Sequence, residues 1–169
     1  MSKTVEEHRQ TSPERVRCGV VTVSDTRTLD DDRGGALIVE LLSAGGHGVA
    51  AREIVPDDPE QIGSLIAAWR DRDDIEAILL TGGTGISRRD QTFETVQRLL
   101  TKELTGYGEL FRALSYQEIG AAAMLSRTIG GVADRTIVLT MPGSPAAVRL
   151  AMEKLILPEL RHLVREAQR

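Results

Sequence analysis

The strongest constraint on this chain is an alternation, sustained over most of its length, of short β-rich apolar runs with helical patterns. Val16 to Val23 reads as a buried strand, a helix is predicted from about Arg33 to Ala44 with Asp32 or a neighbour as its cap, and Val49 to Val55 reads as a second strand. Asp58-Pro59-Glu60-Gln61 is a helix start: Asp58 caps, Pro59 occupies the first position where no N–H is needed, and Gln61 completes a capping box. Ile62, Leu65, Ile66 and Trp69 then recur at helical spacing. Ile75 to Leu80 is predicted as the third strand, followed by a helix capped by Thr92 with Val96, Leu99 and Leu100 on its apolar face. Leu104 to Met124 reads as short helical pieces such as Glu109 to Leu114, and Ser126 to Ala133 as a strand or hairpin turning at Gly130-Gly131. Thr136 to Thr140 is another buried strand, and Ser144-Pro145 opens a last helix to about Ala167, with a kink expected at Pro158. This order predicts an α/β fold with a mostly parallel central sheet and helices on both faces. Residues 1–15 read as a flexible polar arm and residues 16–169 as a single domain.

Composition narrows the function classes. The length of 169 residues suits one domain with a full core. A net charge of −4 argues against a nucleic-acid surface, which needs clustered Lys and Arg. No apolar run approaches the roughly 20 residues that span a bilayer. The first residues lack an apolar h-region, and the one cysteine, Cys18, cannot form an intrachain disulfide, so a cytoplasmic setting is expected. His8, His47 and His162 have no metal-ligand spacing to one another or to Cys18.

In such a sheet, ligands bind outside the carboxyl ends of the strands. The candidate loops are therefore 24–32, 56–58, 81–90 and 141–144. Thr81-Gly82-Gly83-Thr84-Gly85 follows a strand and precedes a helix; its N–H groups and hydroxyls suit a phosphate, or it only reverses the chain. It is neither a Walker loop nor a dinucleotide fingerprint. Arg88 and Arg89 are phosphate partners or solvated charges. With Asp58 and Thr92 taken as caps, Asp57 and Asp90 are left without a structural duty. Two carboxylates on neighbouring strand-end loops can hold a Mg²⁺ that bridges nucleotide phosphates; the alternative is plain solvation. Asp25 is a third acid at a strand end.

Five motifs stand in order along the chain: Val23-Ser24-Asp25-Thr26-Arg27; Val55-Pro56-Asp57-Asp58; Leu80-Thr81-Gly82-Gly83-Thr84-Gly85 with Arg89-Asp90-Gln91-Thr92; Leu125-Ser126-Arg127; and Met141-Pro142-Gly143-Ser144-Pro145. Together they resemble the MoaB/MogA family of molybdenum-cofactor biosynthesis, to which the gephyrin G domain also belongs. The resemblance covers about residues 16–165, and Gly106-Tyr107-Gly108-Glu109 with Ser115 to Gly120 look closer to MoaB. Phe93 stands where MogA-type sequences place Pro. The resemblance implies a molybdopterin adenylyltransferase that joins the molybdopterin phosphate to AMP from Mg-ATP and releases pyrophosphate. It matches Asp57 and Asp90 to catalytic, Mg²⁺-holding aspartates and Ser126 to a serine of pterin binding and turnover. The binding residues expected are Ser24 and Asp25, the run Thr81, Gly82, Gly83, Thr84 and Gly85, then Arg89, and Pro142, Gly143 and Ser144. It also implies a homo-oligomer, a trimer or a hexamer built from trimers. A non-catalytic molybdopterin-binding protein of the same fold is the alternative.

Overall fold

The computed structural model describes residues 13–169. The expected arm therefore lies largely outside the described residues; Pro13, the first of them, lends its carbonyl to Arg161 Nε at 2.7 Å.

The sequence alternation becomes a six-stranded sheet. Its strands are β1 (Arg17–Val23), β2 (Gly48–Val55), β3 (Ala77–Thr81), β4 (Lys102–Glu103), β5 (Gly130–Ala133) and β6 (Thr136–Met141). They lie in the order β2-β1-β3-β6-β5-β4. The first four are parallel, while β5 runs antiparallel to β6 and β4 antiparallel to β5. The helices are α1 (Arg33–Ala44), α2 (Pro59–Arg70), α3 (Thr92–Leu99), α4 (Thr105–Ile119), α5 (Pro145–Ala151) and α6 (Leu157–Ala167).

Because side chains alternate across a strand, each central strand feeds two cores. Val20, Leu79 and Leu139 face α1, α4, α5 and α6 with Ile38, Leu42, Phe111, Met152 and Leu160. Val21, Ile78, Leu80 and Val138 face α2 and α3 with Ile62, Ile66, Trp69 and Val96. Trp69 packs directly on β1: a Cβ at Gly19 would stand 2.4 Å from its ring.

Three caps form as expected, although Gln61 does not complete its box, because the Asp58 N–H goes to the Pro56 carbonyl at 2.8 Å. Asp32 Oδ1 accepts the Gly35 N–H at 2.9 Å, Asp58 accepts the Gln61 N–H, and Ser144 accepts the Ala147 N–H. Asp32 also anchors the sheet, since its Oδ2 takes the Thr22 hydroxyl at 2.7 Å and Arg52 Nη2 at 2.9 Å.

Several expectations are corrected. The third strand begins at Ala77 rather than Ile75, because the chain is still in a turn through Asp74. Residues 105–119 form one helix, not short pieces. Gly106 and Gly108 sit in its first turn, where Gly108 lets it press on the Thr128 carbonyl, and Gly120 stops it with φ 61°. A 3₁₀ segment, Gly120–Leu125, follows. Gly130-Gly131 lies inside β5 and does not turn. A Cβ there would meet Leu139 at 2.5 Å or the Lys102 carbonyl at 2.2 Å, so close strand packing, not chain reversal, requires glycine. The reversal falls at Asp134, with φ 56°. The last helix is interrupted by a π-type turn, Met152–Ile156, just ahead of Pro158, which has no N–H to give.

One buried histidine gives the fold a pH dependence. His47 is 6 % exposed, and its Nδ1 accepts the Val16 N–H at 3.2 Å. Burial, with the charges of Arg161 and Arg15, pushes its pKa below the usual value. The unfolded chain thus takes up this proton first, and its contribution to stability is complete above about pH 6.5 and lost as pH falls through the range below. Thermal midpoints measured between pH 8 and pH 5.5 are expected to fall on acidification, with a shallower slope in His47→Gln.

Candidate active site

The carboxyl ends of β1, β2, β3 and β6 bring the expected loops to one edge of the sheet. The glycine loop leaves β3 with Gly82 at φ 100° and Gly83 at φ 62°, a region that L side chains rarely adopt. A Cβ at Gly82 would strike the Val23 carbonyl at 2.3 Å, so the loop lies directly on the end of β1. Thr81 donates its hydroxyl to the Pro142 carbonyl at 3.1 Å, which ties the loop after β3 to the loop after β6.

Asp57 reaches this loop from β2. Its Oδ1 accepts the Gln91 N–H at 2.9 Å. It therefore does have a structural duty, contrary to expectation: it caps α3 from another part of the chain. Thr92 is correspondingly the first helical residue rather than the cap, and its hydroxyl is buried without a partner. A Cβ at Gly83 would fall 2.2 Å from that hydroxyl and 2.6 Å from Asp57 Oδ2. Asp90 is not free either, since its Oδ2 accepts the Ser87 N–H at 2.8 Å. Oδ2 of Asp57 and Oδ1 of Asp90 have no hydrogen-bond partner among the described residues.

The acids differ in how strongly they hold their protons. Asp57 is pushed upward, by burial and by the charges of Asp90 and Asp25, against the opposing pull of the Gln91 amide and Arg89. Asp25 is pushed downward, by Arg89 and by the Asp57 N–H it accepts at 3.1 Å. Arg89 Nε lies 3.1 Å from Asp25 Oδ2, so Arg89 is paired with a carboxylate while its side chain stays largely exposed.

Two cavities open at this edge. One of about 630 Å³ is lined by Ser24, Thr81, Gly82 and Gly143, together with Arg27, Arg33 and Gly34. The other, about 400 Å³, gathers Gly82, Gly83, Thr84, Gly85, Asp90, Ser126, Pro142, Gly143 and Ser144 over an apolar wall of Phe111, Ile119, Ala123 and Leu125. Gly82 and Gly143 belong to both and form the sill between them. Asp25 faces a third, more open hollow with Arg52 and Pro56. Ser126 Oγ is paired with Thr128 Oγ1 at 2.7 Å. Arg33 and Gly34 were not anticipated, although Asp32 as a helix cap already implied that the first turn of α1 faces the strand-end loops. Phe111 was hidden by reading residues 104–124 as broken helix.

Among the described residues no three His, Cys, Asp or Glu side chains converge on one point. A cation here would take ligands from a bound phosphate as well as from the protein. The arrangement suits polyphosphate chemistry: glycine-lined backbone, two incompletely paired carboxylates, and a polar cavity joined to a partly apolar one.

Known proteins resemble this chain over most of its length. A family model described as a probable molybdopterin binding domain matches residues 19–162. Molybdenum cofactor biosynthesis protein B of Bacillus anthracis is 53 % identical over 167 residues, covering 98 % of this chain and 99 % of the relative. A crystal structure of a molybdenum cofactor biosynthesis protein B superposes with a TM-score of 0.90 at 53 % identity, covering 93 % of this chain and 98 % of the other. The tungsten cofactor synthesizing protein MoaB from Pyrococcus furiosus gives 0.82 at 38 % identity, covering 94 % and 100 %. With the whole α/β domain matched at this level, the chain belongs to the MoaB/MogA family of molybdenum-cofactor biosynthesis proteins.

Proposed function

We infer that this protein transfers an adenylyl group from ATP to the phosphate of molybdopterin. The observation that carries the reading is the pair Asp57 and Asp90, brought from β2 and the loop after β3 to either side of one glycine loop, each with a carboxylate oxygen uncommitted. Two such oxygens, with phosphate oxygens of the substrate, fit the coordination habits of Mg²⁺. Bound there, the ion would screen charge between two phosphate groups that otherwise repel.

The reaction needs little from the protein in the way of bases. A terminal phosphate oxygen of molybdopterin attacks the α-phosphorus of ATP; the new P–O bond forms as the bond to the β-phosphate oxygen breaks, and pyrophosphate leaves. The attacking oxygen is already an anion, so alignment and charge stabilisation supply the rate. Gly83 and Gly85 allow the loop backbone to approach phosphates without a side chain intervening, while the Gly82 N–H is already given to the Met141 carbonyl. Ser126, at the wall of the smaller cavity, is placed to donate to the pterin phosphate once its hydroxyl turns from Thr128. The apolar wall there suits the face of a pterin, and the arginine-bearing cavity across the Gly82–Gly143 sill suits the other, more charged substrate.

The deciding assay supplies molybdopterin, ATP and Mg²⁺ and follows adenylylated molybdopterin by mass. Product is expected from the wild type. Asp57→Asn and Asp90→Asn keep an amide-accepting oxygen, and hence the α3 cap and the Ser87 turn, but remove the charge; each is expected to cost about 10²-fold or more in kcat/KM. Pterin binding with no product from the wild type would instead establish a binding protein. Gly83→Ala puts a side chain at positive φ against Thr92 and Asp57 and is expected to cost at least about 1–2 kcal/mol in denaturant unfolding, with loss of turnover.

The same reading takes the protein as a homo-oligomer of three subunits or twice three. Leu110, Tyr116 and Met124 on and after α4 are large apolar side chains 57–74 % exposed, which supports burial against another copy. Light scattering is expected to give a mass of three or six chains. Among the described residues no helix is long and apolar enough to cross a membrane.

A further inference from the structure

Arg127 makes more attachments to the site than any residue the site was expected to contain. Its backbone N–H donates to the Thr84 carbonyl at 3.1 Å. Its Nε donates to the Gly85 carbonyl at 2.7 Å and its Nη2 to the Asp90 carbonyl at 2.9 Å. Its Nη1 is hydrogen-bonded to the Glu94 carboxylate, and its guanidinium stands 5.5 Å from the centre of the Phe93 ring. All these partners lie between Thr84 and Glu94, the segment that carries Asp90 into α3. The flanking residues belong to the other wall: Ser126 lines the smaller cavity, and Thr128 holds the Ser126 hydroxyl.

Little else secures the middle of that segment from outside. Ser87 and Asp90 bond to each other, which shapes a local turn but does not aim it. The Arg89–Asp25 pair is 68 % and 39 % exposed, and such pairs hold weakly. The Asp57 cap fixes only the far end, at Gln91. The Arg127 side chain is 27 % exposed, and its rigid fork reaches two carbonyls and a carboxylate at once.

We propose that Arg127 is a positioning residue, whose guanidinium clamps the Thr84–Glu94 segment so that Asp90 is held at a fixed separation from Ser126 across the smaller cavity. Its function in turnover rests on the adenylyl-transfer reading above; its ordering of the segment does not. A lysine keeps the charge but has a single nitrogen, which cannot satisfy three acceptors set around a plane.

The test is Arg127→Lys in the full-length protein, read by hydrogen exchange with mass spectrometry and by electron paramagnetic resonance of Mn²⁺ with ATP. Amides in peptides covering residues 84–91 are expected to exchange about tenfold faster or more, with β3 and β6 peptides unchanged. Mn²⁺–ATP binding is expected to weaken about tenfold, and kcat to fall by about 10²-fold, as small misplacements of reacting groups do. Added Mg²⁺ is expected to recover part of the lost rate. Wild-type exchange at 84–91 with wild-type Mn²⁺–ATP binding would overturn the proposal. So would a uniform rise in exchange over the whole chain, since that would make Arg127 a general support of the fold. Should Arg127→Lys not fold, Glu94→Gln removes one charged partner and leaves both carbonyl contacts; a smaller, equally local rise at 84–91 supports the proposal, and none overturns it. A wild type that forms no adenylylated product would sink the adenylyl-transfer reading alone, because the exchange readout does not involve turnover.

Discussion

The hydrogen bond from the Gln91 N–H to the Asp57 carboxylate is the contact around which the site is built. A helix N-terminus leaves backbone donors unsatisfied, and the usual remedy is a side chain at the cap position itself. Here the remedy comes from the loop after a strand two positions away in the sheet. One oxygen of Asp57 therefore starts α3, and through it sets where the glycine loop must run. The other oxygen stays available beside Gly83. On the proposed reading, structural and chemical duties are divided between two atoms of one carboxylate.

That division has an electrostatic consequence. Asp57 lies within reach of the charges of both Asp25 and Asp90, and of these three only Asp25 has its carboxylate paired with an arginine among the described residues. Asp57 carries the repulsion, which together with burial makes its ionised form less comfortable than it would be in water. A cation bound there, as the proposed reaction requires, would relieve it. The glycines do the complementary work of letting main-chain donors approach an anion. Their positive φ values and the short distances a Cβ would meet show that the loop has no spare room on its protein side.

Much of this was legible in the sequence because it is local. The caps at Asp32, Asp58 and Ser144 follow from residue types placed one to three positions before an apolar helical pattern, and each is found. The alternation of strand and helix gave a mostly parallel sheet, and the strand ends named the loops. Where local rules failed, a distant contact had replaced the local one. Thr92 was the better cap by propensity, but Asp57 already served α3. Gly130-Gly131 carried a turn signal, but strand packing against Leu139 and Lys102 demanded the missing side chains. The glycines of residues 104–124 suggested breaks, yet they sit at the ends of α4, where glycine costs little.

By itself, then, the sequence determined the order and type of most elements, the strand-end loops, and the motifs that mark the family. These depend on residues near one another in the chain, where periodicity and capping chemistry act. Only the tertiary structure decided which of those loop residues share work. It gave Asp57 a helix to cap, turned Arg89 toward Asp25, split most of the expected binding residues between two cavities at the Gly82–Gly143 sill, and set Arg127 across the segment that bears Asp90. Those pairings join residues 33 to 64 positions apart. No local pattern encodes them, because their partners are chosen by strand order and register.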